Sequence, residues 1–489
     1  MPTPYADAVA RYAEIDRARV YVPGHAADPG AAPALTEWFG AEVLRRDVPP
    51  LLAGIDKGPG NPLAEALTLA AEAWSARRTW FVTNGASQAN RIAALALGAF
   101  RDSGDPVVGQ RSAHSSFTDG VILAGLSPSF VSPSIDPVLG INHGVSPEVL
   151  RAALAGVARP KGVYLISPSY FGAVADIPAI AEVAHAAGAP LIVDAAWGAH
   201  FGFHPDLPEN PVRQGADLVI SSTHKLGGSL TQSAMLHLAD GPFADELEPL
   251  VERGFTLTQS TSASALLLAS LDLARETLQT GEARIAASIG AADRLRDEIR
   301  SRGRFAIVSD RFGDFADIVD ADPLRVSIDV ACGGLHGHTV RDRLERDGVS
   351  FEIATDSAVV AVLGAGVVPD VDRIVEALHA LAPEQGGGEP AAAEATVALP
   401  EPGPLAMLPR DAFFAAGEAV PTADAIGRVS TDALAAYPPG IPNVLPGEVI
   451  TAEVVEFLQR IAATPGGYVR GAVDPSLATL RVVGASVSK

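Results

Sequence analysis

The sequence predicts an α/β fold whose mainly parallel sheet is covered by helices. Three features carry that expectation. From about residue 60 to 280 short apolar runs alternate with helix-like segments, the runs are apolar at successive positions, and small or polar residues follow directly on them. A strand buried on both faces loses the period-two pattern, and parallel strands need long crossovers, so this combination belongs to a sheet between two helix layers.

In order along the chain, TWFVTNG opens into the helix-like ASQANRIAALALGAF, and PVVG follows. KGVYLISPS leads into IPAIAEVAHAAG, and then come PLIVDAAW and DLVISSTHK. Residues 262–302 read as long helices; RVSIDV and AVVAVLG then flank the helix-like TVRDRLERDG, with VDRIVEALHALAP behind them. That arrangement predicts a smaller α+β domain. EQGGGEPAAAEATVALPEPGP is rich in Gly, Pro and Ala, lacks apolar periodicity and reads as a linker. The expected division is an N-terminal segment with the large domain over 1–285, a small α+β domain over 286–383, the linker at 384–404 and a C-terminal α+β domain over 405–489.

A chain of 489 residues with 48% hydrophobic and 19% charged residues can bury a large core in several domains. Its 58 acidic against 36 basic residues give a net charge of −22, which repels nucleic acid and anionic membranes. The single cysteine, Cys332, rules out an intrachain disulfide framework and suits a reducing compartment. MPTPYADAVARYAEID lacks the basic start and apolar core of a signal peptide, and no apolar run is long enough to span a bilayer. A soluble, cytoplasmic protein is expected.

Only four lysines, Lys57, Lys161, Lys225 and Lys489, stand among the 36 Lys and Arg residues. Lys225 follows the apolar run DLVISS, at the strand end where open α/β sheets place ligands. A desolvated lysine loses its proton readily and attacks carbonyls to form a Schiff base, which guanidinium cannot do. The plain alternative is a solvated loop lysine. Ser222-Thr223-His224-Lys225 also matches S-x-x-K, but the S-D-N and K-T-G elements of acyl-serine enzymes are missing from the sequence.

Asp194, ending PLIVDAAW, can hold a ring nitrogen in its protonated form, as pyridoxal phosphate (PLP) requires; a turn or helix-cap role is the alternative. TNGASQAN follows a strand and opens a helix, so its backbone N–H groups, with the hydroxyls of Ser87 or Ser222, can form an anion site. An ordinary Asn-Gly turn with a Ser cap reads the same way. His114 also follows a strand and can stack on a planar cofactor or be a loop histidine. Neither His200-x-x-x-His204 nor His336-Gly-His338 near Cys332 has metal-site spacing, so no metal is expected.

Taken together, VPGH (22–25), TNGASQAN (83–90), SPSYFGAVADI (167–177), DAAWGAHF (194–201), SSTHKLGGSLTQSAML (221–236), TQSTSASALLLASLD (258–272) and YPPGIPNVLPGEVIT (437–451) resemble the Orn/Lys/Arg decarboxylase family, which belongs to the fold type I PLP-dependent enzymes. The chain resembles short biosynthetic members without an N-terminal wing. The resemblance implies an aspartate-aminotransferase-like large domain and decarboxylation of a basic amino acid. It implies that Lys225 carries PLP as a Schiff base, Asp194 pairs with the pyridine nitrogen and His114 stacks on the ring. Gly85, Ala86, Ser87, Ser222 and His224 hold the phosphate, and Trp197 borders the ring. Neither the residues nor the resemblance identifies the proton donor, for which His224 is the candidate. It further implies a homodimer or larger assembly of dimers, with the TQSTS segment, including Thr258, reaching a neighbour's cofactor. Asp424 lies where similar enzymes carry a glutamate for the substrate's distal cation, and its shorter side chain favours guanidinium, hence arginine over lysine or ornithine. Two departures stand out: Ala26 where the family commonly has the lysine of PGHK, and DAAW where it often has DEAH. The rival readings are an aminotransferase or lyase of the same fold and a PLP-binding protein without activity.

Overall fold

The computed structural model describes residues 1–101, 105–382, 400–437, 441–463 and 467–484. Its centre is a seven-stranded sheet formed by β1 (Arg78–Val82), β2 (Val107–Gln110), β3 (Pro128–Val131), β4 (Gly162–Ile166), β5 (Leu191–Asp194), β6 (Leu218–Ser221) and β7 (Ala234–Leu238). The spatial order is β1-β7-β6-β5-β4-β2-β3. Strands β2 to β6 pair in parallel, and β7 alone runs antiparallel to both its neighbours. Six strands therefore point their C-terminal ends to one edge of the sheet.

Strand residues divide between two cores, which explains why the sequence shows no alternation. Val163, Leu165, Leu191, Val193 and Val219 pack on one face with Ile177 and Ile180. Tyr164, Ile166, Ile192, Leu218 and Ile220 pack on the other with Ile92, Leu97 and Leu247. The covering helices include α1 (Gly85–Ala99), α2 (Ser115–Ala124), α3 (Ile177–Ala186) and α4 (Ala244–Thr258). Each of the first three starts within a few residues of a strand's C-terminal end or turn, so helix N-termini gather at the same edge as the strand ends.

Helices α5 (Ala265–Gln279) and α6 (Glu282–Arg302) form the expected long-helix region. Beyond them β8 (Ala306–Ile307), β9 (Arg325–Asp329), β10 (Ile353–Ala354) and β11 (Ala358–Val362) make an antiparallel sheet in the order β10-β11-β9-β8. The expected linker lies largely outside the described residues. The C-terminal unit has two small sheets, β12 (Gly417–Pro421) with β16 (Thr479–Val483), and β13 (Leu434–Tyr437) between β14 (Pro442–Val444) and β15 (Tyr468–Arg470). The amphipathic α7 (Ala452–Ala463) buries Val454, Val455, Phe457 and Leu458 against them. Residues 438–440 of YPPGIP lie outside the described residues. Among those described, no helix is long and apolar enough to cross a membrane.

Candidate active site

The C-terminal edge of the sheet collects the expected residues. Lys225 sits in the turn after β6, with its N–H donating to the Ser222 carbonyl at 2.9 Å. Its ammonium nitrogen lies 3.5 Å from the centroid of the Trp197 ring. Burial, aided by nearby Arg325 and opposed by the charges of Asp194 and Glu352, pushes the Lys225 pKa down to about 8. An amine so desolvated is partly neutral near physiological pH and nucleophilic.

Asp194 ends β5, buried, and is held by three donors. Asn90 Nδ2 lies 3.1 Å from Oδ2, the Tyr164 hydroxyl 2.7 Å from the same oxygen, and the Ala196 N–H donates to Oδ1 at 3.0 Å. Burial, then the Asp194 charge, raises the Tyr164 pKa well above its ordinary value, which keeps the phenol protonated. Asn90 Nδ2 also donates to Ser116 Oγ at 3.0 Å, and Ser116 Oγ lies 2.8 Å from His114 Nδ1. The two groups expected on a cofactor ring, Asp194 at its edge and His114 on its face, are thus joined through Asn90 and Ser116. Burial lowers the His114 pKa, with Lys225 and Arg470 adding to that shift and Asp194 opposing it.

Sequence reading passed over Asn90, Tyr164 and Ser116. A signal existed for two of them: Asn90 is a buried amide in the apolar α1, and Tyr164 carries the single hydroxyl of the strand GVYLI.

The cradle forms where α1 meets the turn before β7. Gly85, at φ +70°, donates its N–H to the Gln232 carbonyl at 2.8 Å, and no side chain caps the helix. That positive φ is why glycine stands there. The N–H groups of Ala86 and Ser87 are left to receive an anion, whereas that of Gly85 is already taken by Gln232. Ser222 is buried, and His224 Nδ1 donates to the Ser233 carbonyl at 2.7 Å, which ties the Lys225 turn to the segment that enters β7. Thr258 caps within its own chain: its hydroxyl donates to the Gly254 carbonyl at 2.9 Å and Gln88 Nε2 approaches it at 3.4 Å. It lies beneath the cradle's helix rather than along the cavity.

A cavity of about 1030 Å³ opens from this edge. Ser112, His114, Tyr170 and Trp197 line it, with the carboxylates of Asp119, Asp342 and Glu352 and, from the C-terminal unit, Asp432, Leu445 and Arg470. Asp424 is not among its lining residues. It lies exposed in the short helix Thr422–Ala425, so the carboxylate that this stretch brings to the cavity is Asp432, eight residues on. The chain turns back between them: Ser430 Oγ accepts from the Asp432 N–H at 3.1 Å and donates to its carbonyl at 2.8 Å, which no spacing rule foretells. Burial raises the Asp432 pKa and Arg481 opposes the shift. His25 of VPGH pairs with Asp47 at 3.2 Å, away from the cavity lining.

The residues present fit pyridoxal phosphate: a desolvated amine, a carboxylate fixed for a ring nitrogen, a ring to stack and an uncapped helix N-terminus. The pattern described as "Orn/Lys/Arg decarboxylase, major domain" matches residues 3–311, and "Orn/Lys/Arg decarboxylase, C-terminal domain" matches 393–466. The chain belongs to this family. It is 34% identical over 486 residues to the arginine decarboxylase of Bacillus subtilis (strain 168), covering 98% of both chains. It is also 34% identical over 492 residues to that of Halalkalibacterium halodurans, covering 98% of this chain and 97% of the other. Lysine decarboxylase A from Pseudomonas aeruginosa superposes with a TM-score of 0.81 at 22% identity, over 98% of this chain and 80% of that one, a likeness of fold. This Orn/Lys/Arg decarboxylase-family protein is thus a fold type I PLP-dependent carboxy-lyase.

Proposed function

We propose that the protein decarboxylates L-arginine to the corresponding amine and CO₂, with lysine and ornithine as poorer substrates. The observation that carries this reading is the cavity, which is lined by Trp197 and His114 of the large domain and by carboxylates that include Asp432 of the C-terminal unit. A guanidinium at the end of an extended side chain matches such a carboxylate in charge and hydrogen-bonding geometry. The relatives named arginine decarboxylases, at 32–34% identity over nearly the whole chain, support the same choice.

Bound pyridoxal phosphate supplies an electron sink for the pair left at the α-carbon when CO₂ departs. In this reading Lys225 is the covalent anchor, and Asp194, oriented by Asn90, Tyr164 and the Ala196 N–H, holds a proton at the ring nitrogen. His114 covers one ring face. The N-terminus of α1, with Ser87, Ser222 and His224, takes the phosphate, and Trp197 keeps water from the Lys225 amine.

A homodimer is the smallest assembly we propose. Val20 and Trp38 of the N-terminal segment are 95% and 82% exposed, an apolar display that suits burial against a second subunit. Sedimentation of the purified protein tests it.

The activity test offers arginine, lysine, ornithine and neutral amino acids to the PLP-loaded protein and follows CO₂ and amine. Arginine is expected to give the highest kcat/KM. CO₂ release from none of them, with a keto-acid-dependent transamination product instead, sinks the reading.

A further inference from the structure

Arg111 and Glu448 form an ion pair with side chains only 3% and 6% exposed. Arg111 follows β2 directly and stands three residues before His114; Glu448 lies in the PGE of YPPGIPNVLPGE, the stretch whose role the cofactor site leaves unexplained. The pair is bidentate. Arg111 Nη1 donates to Glu448 Oε1, Nη2 to Oε2 at 2.8 Å, and Nε to the Pro442 carbonyl at 2.8 Å. The guanidinium also lies 4.8 Å from the centroid of Phe130.

Each partner carries a wall of the cavity. Ser112, Ala113 and His114 line it next to Arg111, and Leu445 and Pro446 line it next to Glu448. Glu448 Oε2 accepts the Leu445 N–H at 2.8 Å. Its carbonyl accepts the Ser430 N–H at 2.9 Å, and Ser430 in turn grips the Asp432 backbone. Three short links therefore join Arg111 to Asp432.

Stability gives little reason for the arrangement, because desolvation offsets most of a buried pair's attraction and apolar replacements are often as stable. A two-pronged pair does fix distance and rotation in a way that apolar packing does not. We propose that Arg111 and Glu448 are positioning residues that set the separation between His114 and Asp432, and thereby select the length and head group of the amino acid. The inference rests on the reading that Asp432 meets the substrate's distal cation.

Glu448→Gln keeps the shape and removes the charge; Glu448→Asp is the conservative companion, and Asp432→Asn runs in parallel. The readouts are cofactor absorbance, melting temperature, and kcat and KM for arginine, lysine and ornithine. For Glu448→Gln we expect unchanged absorbance, a KM for the preferred substrate raised roughly tenfold with kcat changed less than about threefold, and discrimination against the next-best substrate reduced roughly tenfold. Glu448→Asp should fall between parent and Gln. If Glu448→Gln does not fold, Arg111→Met with Glu448→Leu keeps the units docked through apolar contact, and the same loss of discrimination is expected. Unchanged discrimination in the folded variants, whatever the melting temperature, overturns the proposal. An Asp432→Asn variant with parental KM overturns the cation reading and the positioning role that rests on it, whereas an Asp432→Asn variant with a raised KM beside a Glu448→Gln variant with unchanged discrimination overturns the positioning role alone.

Discussion

Lys161 and Lys225 are both withdrawn from water and both flank strands of the central sheet, yet they stand at opposite edges of it. Lys161 precedes β4, at the N-terminal edge, and its ammonium donates to the Gly98 and Phe100 carbonyls at 3.0 and 3.2 Å, closing the C-terminal end of α1. Lys225 follows β6, at the C-terminal edge, with its ammonium over an aromatic face and its pKa pushed down to about 8. The carbonyls of a helix end welcome a fixed positive charge. Desolvation and a neighbouring guanidinium disfavour it at Lys225 and outweigh the attraction of the ring face. Charge stabilised at one edge is structure; charge destabilised at the other is reactivity.

Exchange of the two lysines' roles is the sharpest way to break that contrast. Lys225→Ala is expected to abolish the visible cofactor absorbance and to lower decarboxylation by on the order of 10³-fold or more, while Lys161→Ala keeps the absorbance. Borohydride reduction of the loaded protein followed by peptide mapping should label Lys225; a label on Lys161 or Lys57 refutes the assignment. Asp194→Asn, which removes the charge beneath the Lys225 edge, should retain cofactor but lose roughly 10²- to 10³-fold in kcat, measured with saturating PLP.

At the structural edge, Lys161→Met leaves buried carbonyls of α1 without their donor. Denaturant unfolding should show a loss of about 1 to 3 kcal/mol, with kcat/KM unaltered well below the melting temperature. The smallest effect is the titration itself. The folded Lys225 releases its proton near 8 and the unfolded chain near the ordinary lysine value of 10.5, so the folded state binds fewer protons between them. The cofactor-free protein should therefore gain stability as pH rises through that window and show none of this gain below it. Lys225→Met should flatten the slope. Amine labelling of Lys225 in the cofactor-free protein should reach half its maximal rate near pH 8.

Much of this was readable beforehand because chemistry at a parallel sheet sits where strands end. Lys225, Asp194 and His114 each follow an apolar run, and TNGAS lies at a strand-to-helix turn, so their convergence followed from the fold class. The supports of Asp194 were not readable in the same way. Asn90 and Tyr164 lie on a helix and a strand 74 residues apart, and only the packing of α1 on β4 makes them neighbours. Asp424 and Asp432 share one stretch, and the direction in which the chain turns at Ser430 decides which of them lines the cavity, a matter no local pattern records.

The sequence by itself determined the layered α/β architecture, the cofactor chemistry and the placement of a lysine at a strand end, because strand burial and strand-end placement are local patterns written in consecutive residues. The tertiary structure alone decided which carboxylate of the stretch holding Asp424 and Asp432 lines the cavity and which contacts fix the backbone around it. The Arg111–Glu448 pair spans 337 residues, and a contact of that separation depends on how folded units dock, for which no local pattern exists.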